Sequence, residues 1–520
     1  MGVLLVTGKL AESIVRKYAE DSGLETKVVA LPFAVAALMT SRYISTHLKS
    51  LDMAGIDLIL VPGLVKGDVS GISEDTGIPV FKGPRHAADL TQVLKVISKN
   101  VLSTTVPACD IIRETLNKQA LESLNEVESN REQLLRNLGN VLIGNLAVGQ
   151  DFPTRVVAEI VDCSKLTDDE IKRKSIYYAK SGADIIDVGM VAGLSQPKEA
   201  YRSIKIVKES VDKPVSIDSL LPEEIQAAVS AGVDLILSID AGNVAEVSKF
   251  AADIPIVVIP TDFRRNIFPR NWPEKIRLLE NNIESAKKHS FKTVIADPIL
   301  DPLVNPGSVE SIVASYNFRK KHSDTIMLLG VGNVTELIDA DSIGVNAFLM
   351  GVAAELDVSL VLTTEVSTKA QGSVLELSKA SKMMFLAKER NSIPKEVGVD
   401  LLVIKEGVQK DEFPGNESMK DASIINADSH LIHSHDPKGC FKIYLDRDRG
   451  EIILMHSSRH RLDTPDIVLR GKTARDLYMT VVSKGLLSSL DHAGYIGTEV
   501  QKAEIALKLG KSYVQDSSLF

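Results

Sequence analysis

Cysteine is scarce in this chain: three in 520 residues, Cys109, Cys163 and Cys440, with no CxxC pair. That excludes a disulfide framework and a zinc ribbon, and it fits a reducing compartment. No apolar run approaches the roughly 20 residues that cross a bilayer, and the opening MGVLLVTGKLAES has no basic segment, so neither export nor membrane insertion is expected. Positive charge is not in excess either. With 60 Lys and Arg against 69 Asp and Glu, the formal net charge is −9, which speaks against a nucleic acid as the main partner, although a local basic patch could still hold a phosphorylated small molecule. A Walker A spacing is missing too: before Gly471-Lys472-Thr473, the position of the first glycine holds Asp466. An acidic cytoplasmic enzyme is the expectation.

What is present is a repeated alternation of short apolar runs and helical patterns. Four such units lead the chain: VLLVTG (3–8), TKVVALP (26–32), DLILVPG (57–63) and IPVF (78–81). Continuous apolar runs between helices imply a parallel sheet covered on both faces, hence a small flavodoxin- or Rossmann-like α/β domain over residues 1–104. Gly8 and Gly63, in the turns TGK and PGLVKGD, read first as tight-turn glycines, and with the lysines beside them they would also suit an anion. Residues 105–150 read as a helical connector.

Between Arg155 and Gly351 eight strand-like runs follow: RVVAEIVD, ADIIDVG, PVSIDS, DLILSID, PIVVIP, TVIADP, TIMLLGVG and GVNAFLMG. The first seven each lead into a helical segment. Eight βα units in about 200 residues are the signature of a (β/α)8 TIM barrel, placed here over residues 151–390. In that fold the site lies at the C-terminal strand ends, which carry Asp162, Asp187, Asp218, Asp240, Asp297 and Asn333. Inward carboxylates need donors, so several around one mouth suit a ligand rich in N–H groups, or a metal. Strand-end carboxylates also cap helices, and for Asp187 and Asp240 that reading stands level with the functional one. It is weaker for Asp218, because Ser219 or Leu221 can supply the cap before Pro222, and for Asp297, which Pro298 and a long loop follow.

The strings GADIIDVGM (182–190), VSIDS (215–219), IADPIL (295–300) and GVGNV (330–334), in this order, resemble the pterin-binding barrel shared by dihydropteroate synthases and methyltetrahydrofolate-dependent methyltransferases. With HAGYIGTEVQKAEIALKLG (492–510) in the tail, the whole chain is similar to archaeal and methylotroph dihydropteroate synthase-like proteins associated with methanopterin. The resemblance implies a pterin, of dihydropterin or tetrahydromethanopterin type. Asp297 would take its 2-amino/N3 edge, Asp218 would contact the ring, and Asn333 would stand near N5. Chemistry supports the match: a carboxylate accepts two such N–H groups side by side. Ser238 takes the place where the family has Asn on strand 4, with Asp240 or Asn243 as substitutes, and Asp162 stands where it has Asn on strand 1.

Two reactions are implied, joining a pterin to an arylamine or moving a methyl group, with a corrinoid protein as partner only in the second. A non-catalytic tetrahydropterin-binding protein is the alternative outside enzymes. The Lys and Arg or His with which synthases hold diphosphate are absent from the strand-7 and strand-8 runs; Mg2+ belongs to the resemblance but no metal ligand set is read from these residues. In TDFRRNIFPRNW (261–272), Arg264, Arg265 and Arg270 stand beside Phe263, Phe268 and Trp272, a set that suits a phosphorylated arylamine, against which stand solvated loop contacts. Residues 391–520 read as an α+β domain with a hairpin turning at DRG. His430, His433 and His435 read as a polar loop, since no Cys or Glu pattern accompanies them. A homodimer is admitted.

Overall fold

The computed structural model describes residues 2–97, 102–405, 435–458 and 464–520. Of the three histidines in HLIHSHD, His430 and His433 lie outside the described residues, and His435 is exposed. The chain divides into two compact units, residues 1–404 and 405–520.

Strands β1 (Val3–Gly8), β2 (Thr26–Leu31), β3 (Leu58–Val61) and β4 (Val80–Lys82) form a parallel sheet in the order β2-β1-β3-β4. Alternate side chains serve its two faces. Val3, Leu5, Leu58 and Leu60 enter one apolar cluster, while Leu4, Val6, Ile59 and Val61 enter another. Gly63 is set by packing, since a Cβ there would collide with the carbonyl of Gly83 and with Pro84. That supports the turn reading over an anion site. The connector then holds the helix Arg113–Ser129 and an unforeseen antiparallel hairpin, β5 (Asn140–Ile143) and β6 (Leu146–Gly149).

The barrel follows: β7 (Arg155–Ile160), β8 (Ile185–Gly189), β9 (Val215–Asp218), β10 (Leu235–Ile239), β11 (Ile256–Val258), β12 (Val294–Ala296), β13 (Leu328–Gly330) and β14 (Leu360–Thr364). Neighbours pair in parallel around the ring, and a parallel bridge between Ala296 and Met327 closes it. Parity separates lumen from shell. Val157, Ile185, Leu235, Leu237, Val257, Ile295, Leu328 and Leu360 fill the interior together with Ile143 and Val148 of the hairpin. Their sequence neighbours Val156, Ile186, Ile236, Ile256, Ala296, Leu329 and Val361 pack outward in the larger core.

Seven strands lie where the sequence predicts them, and the eighth does not. The run GVNAFLMG belongs to the helix Ser342–Glu355, whose buried residues Ser342, Asn346, Leu349, Met350 and Ala353 recur at helical spacing. The β-branched run Leu360–Thr364 supplies the strand instead. Apolar content alone cannot separate a buried helix turn from a strand.

In the second unit β15 (Cys440–Asp446), β16 (Glu451–Ser457) and β17 (Ile467–Gly471) form an antiparallel sheet. Phe441, Ile443, Ile452 and Leu454 of the sheet share a core with Leu477, Val481, Ile496 and Val500 of two helices. All three cysteines are free, Cys109 and Cys163 being buried. Among the described residues no helix is long and apolar enough to cross a membrane.

Candidate functional site

The same parity that fills the barrel decides which strand-end carboxyls face its mouth. On β7 the residue two beyond Val157 is Glu159; on β8 the residue two beyond Ile185 is Asp187. These two are register partners, Asp187 is in turn the partner of Ser216, and Asp218 lies two residues further along β9. Glu159, Asp187 and Asp218 therefore project from three adjacent strands onto one side, and a carboxyl oxygen of each lies within 4.8 Å of the others. Asp297 joins the mouth two residues beyond the inward Ile295 of β12. Gly189 makes room for the group, because a Cβ there would collide with Glu159 Oε1.

Few donors meet this charge. Ser216 Oγ donates to Asp187 Oδ1 at 2.5 Å, and Asp187 Oδ2, in a fully buried residue, has no partner. Ser238 Oγ donates to Asp218 Oδ1 at 2.7 Å. That contact depends on a break in β10: Ser238 has φ +70° and the register shifts between Ile236 and Ile239. The bulge turns Ser238 toward Asp218 while Ile239 packs outward. Two full charges at such a separation would repel by on the order of 3 kcal/mol at an effective dielectric near 20. Burial, and then the neighbouring Asp218 and Asp162, push Glu159 up to about 8. Asp187 is raised well above the ordinary carboxyl range by burial, then by Asp218 and Glu159, and Asp218 is raised by burial against the lowering effect of Ser238.

Asp297 is held differently. Its Oδ1 accepts the Ile299 N–H at 2.7 Å, and burial pushes it up to about 7 despite that bond and the nearby Lys275. Lys275, 1% exposed on the helix Trp272–Lys288, fixes the loop beyond it. Its Nζ lies 2.6 Å from Asp301 Oδ2 and donates to Ile299 O at 2.8 Å and to Ser311 Oγ at 3.1 Å.

The other predicted residues sit elsewhere. Asp162 has left-handed backbone before a short 3-10 turn and pairs with Lys165 at 2.7 Å with 41% of its side chain exposed. The inward carboxyl of the first strand is Glu159 instead, because Asp162 lies past the strand end. Asp240 is buried but spent: Oδ1 accepts Gly242 N at 2.7 Å, and Oδ2 accepts Thr261 Oγ1 at 2.9 Å and Phe263 N at 2.6 Å. Asn243 accepts Asp240 N at 2.9 Å and donates to Leu220 O and Ser238 O. Both staple loops. Asn333 is exposed, with Nδ2 donating to Leu300 O at 2.9 Å. Arg264 pairs with Glu246, the Arg265 guanidinium lies 3.7 Å from Asp262, and Arg270 is exposed.

Glu159 and Lys275 were missed. Glu159 stands inside the run AEIVD, where counting every second residue from Val157 would have found it. A lysine on an amphipathic helix carries no such signal. The true eighth strand brings no free base either, for it runs into Glu365, and Lys369 beyond it pairs with Asp339 at 3.1 Å.

The chain is similar to known proteins along its whole length. A pterin binding enzyme family matches residues 165–343, a family of unknown function (DUF6513) matches residues 2–85, and PterinBD-DUF4346 matches residues 435–516. The Uncharacterized protein MJ0107 of Methanocaldococcus jannaschii is 38% identical over 531 residues, covering 100% of this chain and 99% of that one. Solved structures similar to the chain include the dihydropteroate synthase of Xanthomonas albilineans in complex with 7,8-dihydropteroate, at 18% identity and a TM-score of 0.37 over 47% of this chain and 96% of that one. The Yersinia pestis dihydropteroate synthase gives 14% and 0.38 over 49% and 100%. Matched from end to end by the Methanocaldococcus jannaschii protein, the chain belongs to that protein's family, and residues 165–343 of its barrel match the pterin binding enzyme family.

Proposed function

We propose that the barrel mouth binds a pterin and that the protein is a transferase joining that pterin to an arylamine. The observation that carries the reading is the pair of inward carboxyls Asp218 and Asp297, each half-buried and each with oxygen lone pairs left over after its one protein donor. A pterin edge offers a 2-amino group and N3–H side by side, and an ionised Asp297 accepts both. Asp218, oriented by Ser238, faces the ring from the β9 side. The joining step forms a C–N bond from the arylamine nitrogen to the pterin methylene carbon and breaks that carbon's bond to its leaving oxygen, while the nitrogen loses a proton. Phe263 and Phe268 on the loop after β11 and Trp272 at the start of the following helix, all exposed, offer faces for an aromatic amine, and Arg265 and Arg270 offer forks for a phosphate on it.

One observation favours methyl transfer from an N5-substituted tetrahydropterin as a second reading. None of the eight strand ends carries the Lys or Arg that would hold a diphosphate, while Asn333 is exposed beyond β13. In that reading a corrinoid protein accepts the methyl group. Calorimetric titration with dihydropterin diphosphate, methyltetrahydrofolate and methyltetrahydromethanopterin in parallel separates the cases. Preference for the first, followed by turnover with an arylamine, supports joining; preference for a methyl donor supports the second reading. Failure of all three to bind overturns the pterin reading.

A further inference from the structure

We propose that a cavity at the N-terminal end of the barrel strands binds a small organic cation, an ammonium group carried on an apolar body. The cavity measures about 240 Å3 and lies among residues 149–154, which lead into β7, the helices Ser342–Glu355 and Ser373–Glu389, and Val358 just before β14. This is the end of the barrel away from the mouth. None of Glu159, Asp187, Asp218 and Asp297 lines it, and the site does not rest on the pterin reading. Scaled from a cavity of about 150 Å3 that takes benzene, the volume admits on the order of ten non-hydrogen atoms.

Its walls are apolar and its free charge is negative. Phe152, Val358, Met384 and Phe385 supply the walls, and Asp151 and Glu389 line it with carboxyls. Asp151 takes the Asn137 and Asn140 amides at 2.9 and 2.6 Å, both on Oδ2, which leaves Oδ1. Glu389 has no hydrogen bond or ion pair among the described residues, and burial, opposed by Arg390 and helped by Glu126, raises its pKa. The cations around the cavity are already engaged. Lys388 pairs with Asp357, Arg390 lies 3.5 Å from Asp89, and Arg155, over the Phe152 ring, lies 2.7 Å from Glu128. Among the described residues no side-chain cation lies over Phe385. An open aromatic face, the Met384 thioether and a carboxylate without a counter-charge together select an ammonium over a neutral or anionic head.

The test titrates phenethylammonium into the full-length protein by calorimetry at neutral pH, with phenethyl alcohol and phenylpropanoate as neutral and anionic comparators. The expected result is one phenethylammonium per chain, held at least about 10-fold more tightly than either comparator. Affinity should fall more than about 10-fold in Glu389→Gln and vanish in Met384→Trp, whose ring fills the cavity. A thermal melt gives a second reading, in which phenethylammonium raises the midpoint of the unaltered chain and moves Glu389→Gln less. Glu389 is exposed at a helix end, so Glu389→Gln keeps the test open if overpacking in Met384→Trp prevents folding. The mouth carboxyls also attract cations, and Asp218→Asn separates the two places: affinity retained there supports the cavity, and affinity lost there puts the cation in the mouth and overturns it. Absence of binding at millimolar phenethylammonium, equal binding of phenylpropanoate, or affinity unchanged in folded Glu389→Gln also overturns the site.

Discussion

The two halves of the barrel mouth treat buried carboxyls in opposite ways. Across β10 and β11, Asp240 is 1% exposed and receives three donors. Across β7 to β9, Asp187 is fully buried and receives one. Both close apolar runs of similar sequence, and both cost desolvation free energy. Where the donors come from the chain itself, the carboxyl is part of the scaffold; where they are missing, carboxyl oxygens are left without a partner in the protein. Asp297, beyond β12, lies between these extremes, with one backbone donor and a lysine behind the loop.

That contrast is broken most severely at Lys275. Lys275→Met removes the buried partner of Asp301 and should cost about 3–5 kcal/mol of stability, read as a drop of many degrees in the thermal melt, with pterin affinity falling as the loop after β12 loosens. Next comes Asp297→Asn, where the loss is in binding. An amide offers one acceptor oxygen and sets its NH2 against a ligand donor, so affinity should fall by roughly 2–4 kcal/mol, about 30- to 1000-fold. The melt should barely move, and unchanged affinity with a depressed melt would remove Asp297 from the site. Asp240→Ala inverts that pattern. It strands the Thr261 hydroxyl and the Phe263 and Gly242 N–H groups, for about 2 kcal/mol of stability and a melt lowered by a few degrees, with little direct effect on pterin affinity at temperatures where the variant is folded.

The smallest effect is that of pH. Asp297 has its pKa raised to about 7 by burial, with Lys275 opposing and Asp218 and Asp301 adding to the rise. The folded state therefore holds this proton more tightly than the unfolded chain, where the value is near 3.9. Its contribution to stability is complete below the unfolded value and is lost as pH rises through about 7. Pterin affinity should run the other way, rising by at most about tenfold per pH unit below 7 as the carboxyl ionises. Calorimetry from pH 5.5 to 8.5 checks this, and Asp297→Asn should flatten the part of the profile centred near 7. A profile identical in the variant would assign the proton to another group, with Glu159, pushed up to about 8, as the first to substitute.

Seven of the eight barrel strands, the parallel N-terminal sheet and the β15–β16 hairpin are legible in the sequence, because alternation of apolar runs and helices is a local pattern that buried parallel strands cannot avoid. Asp187, Asp218 and Asp297 are legible for the same reason: each lies at or just past the end of a run. The eighth strand is not, because Gly344–Gly351 is as apolar as a strand and only its packing at helical spacing declares it a helix.

Which of the rim acids find donors in the protein was decided by tertiary structure alone. Asp162 and Asp240 look the same in the sequence as Asp187 and Asp218, yet one turns to Lys165 and the other is bound by loop donors from Thr261 and Phe263, some twenty residues away. Glu159 enters through strand parity, Ser238 through a bulge that shifts it by half a pleat, and Lys275 through a helix face that packs beneath a distant loop. The sequence by itself determined the periodicity, hence the barrel, and placed acidic residues at its rim, because spacing along a strand is a property of the chain. Whether each acid finds a donor depends on groups brought near it from other strands and loops, and that pairing exists only once the ring has closed.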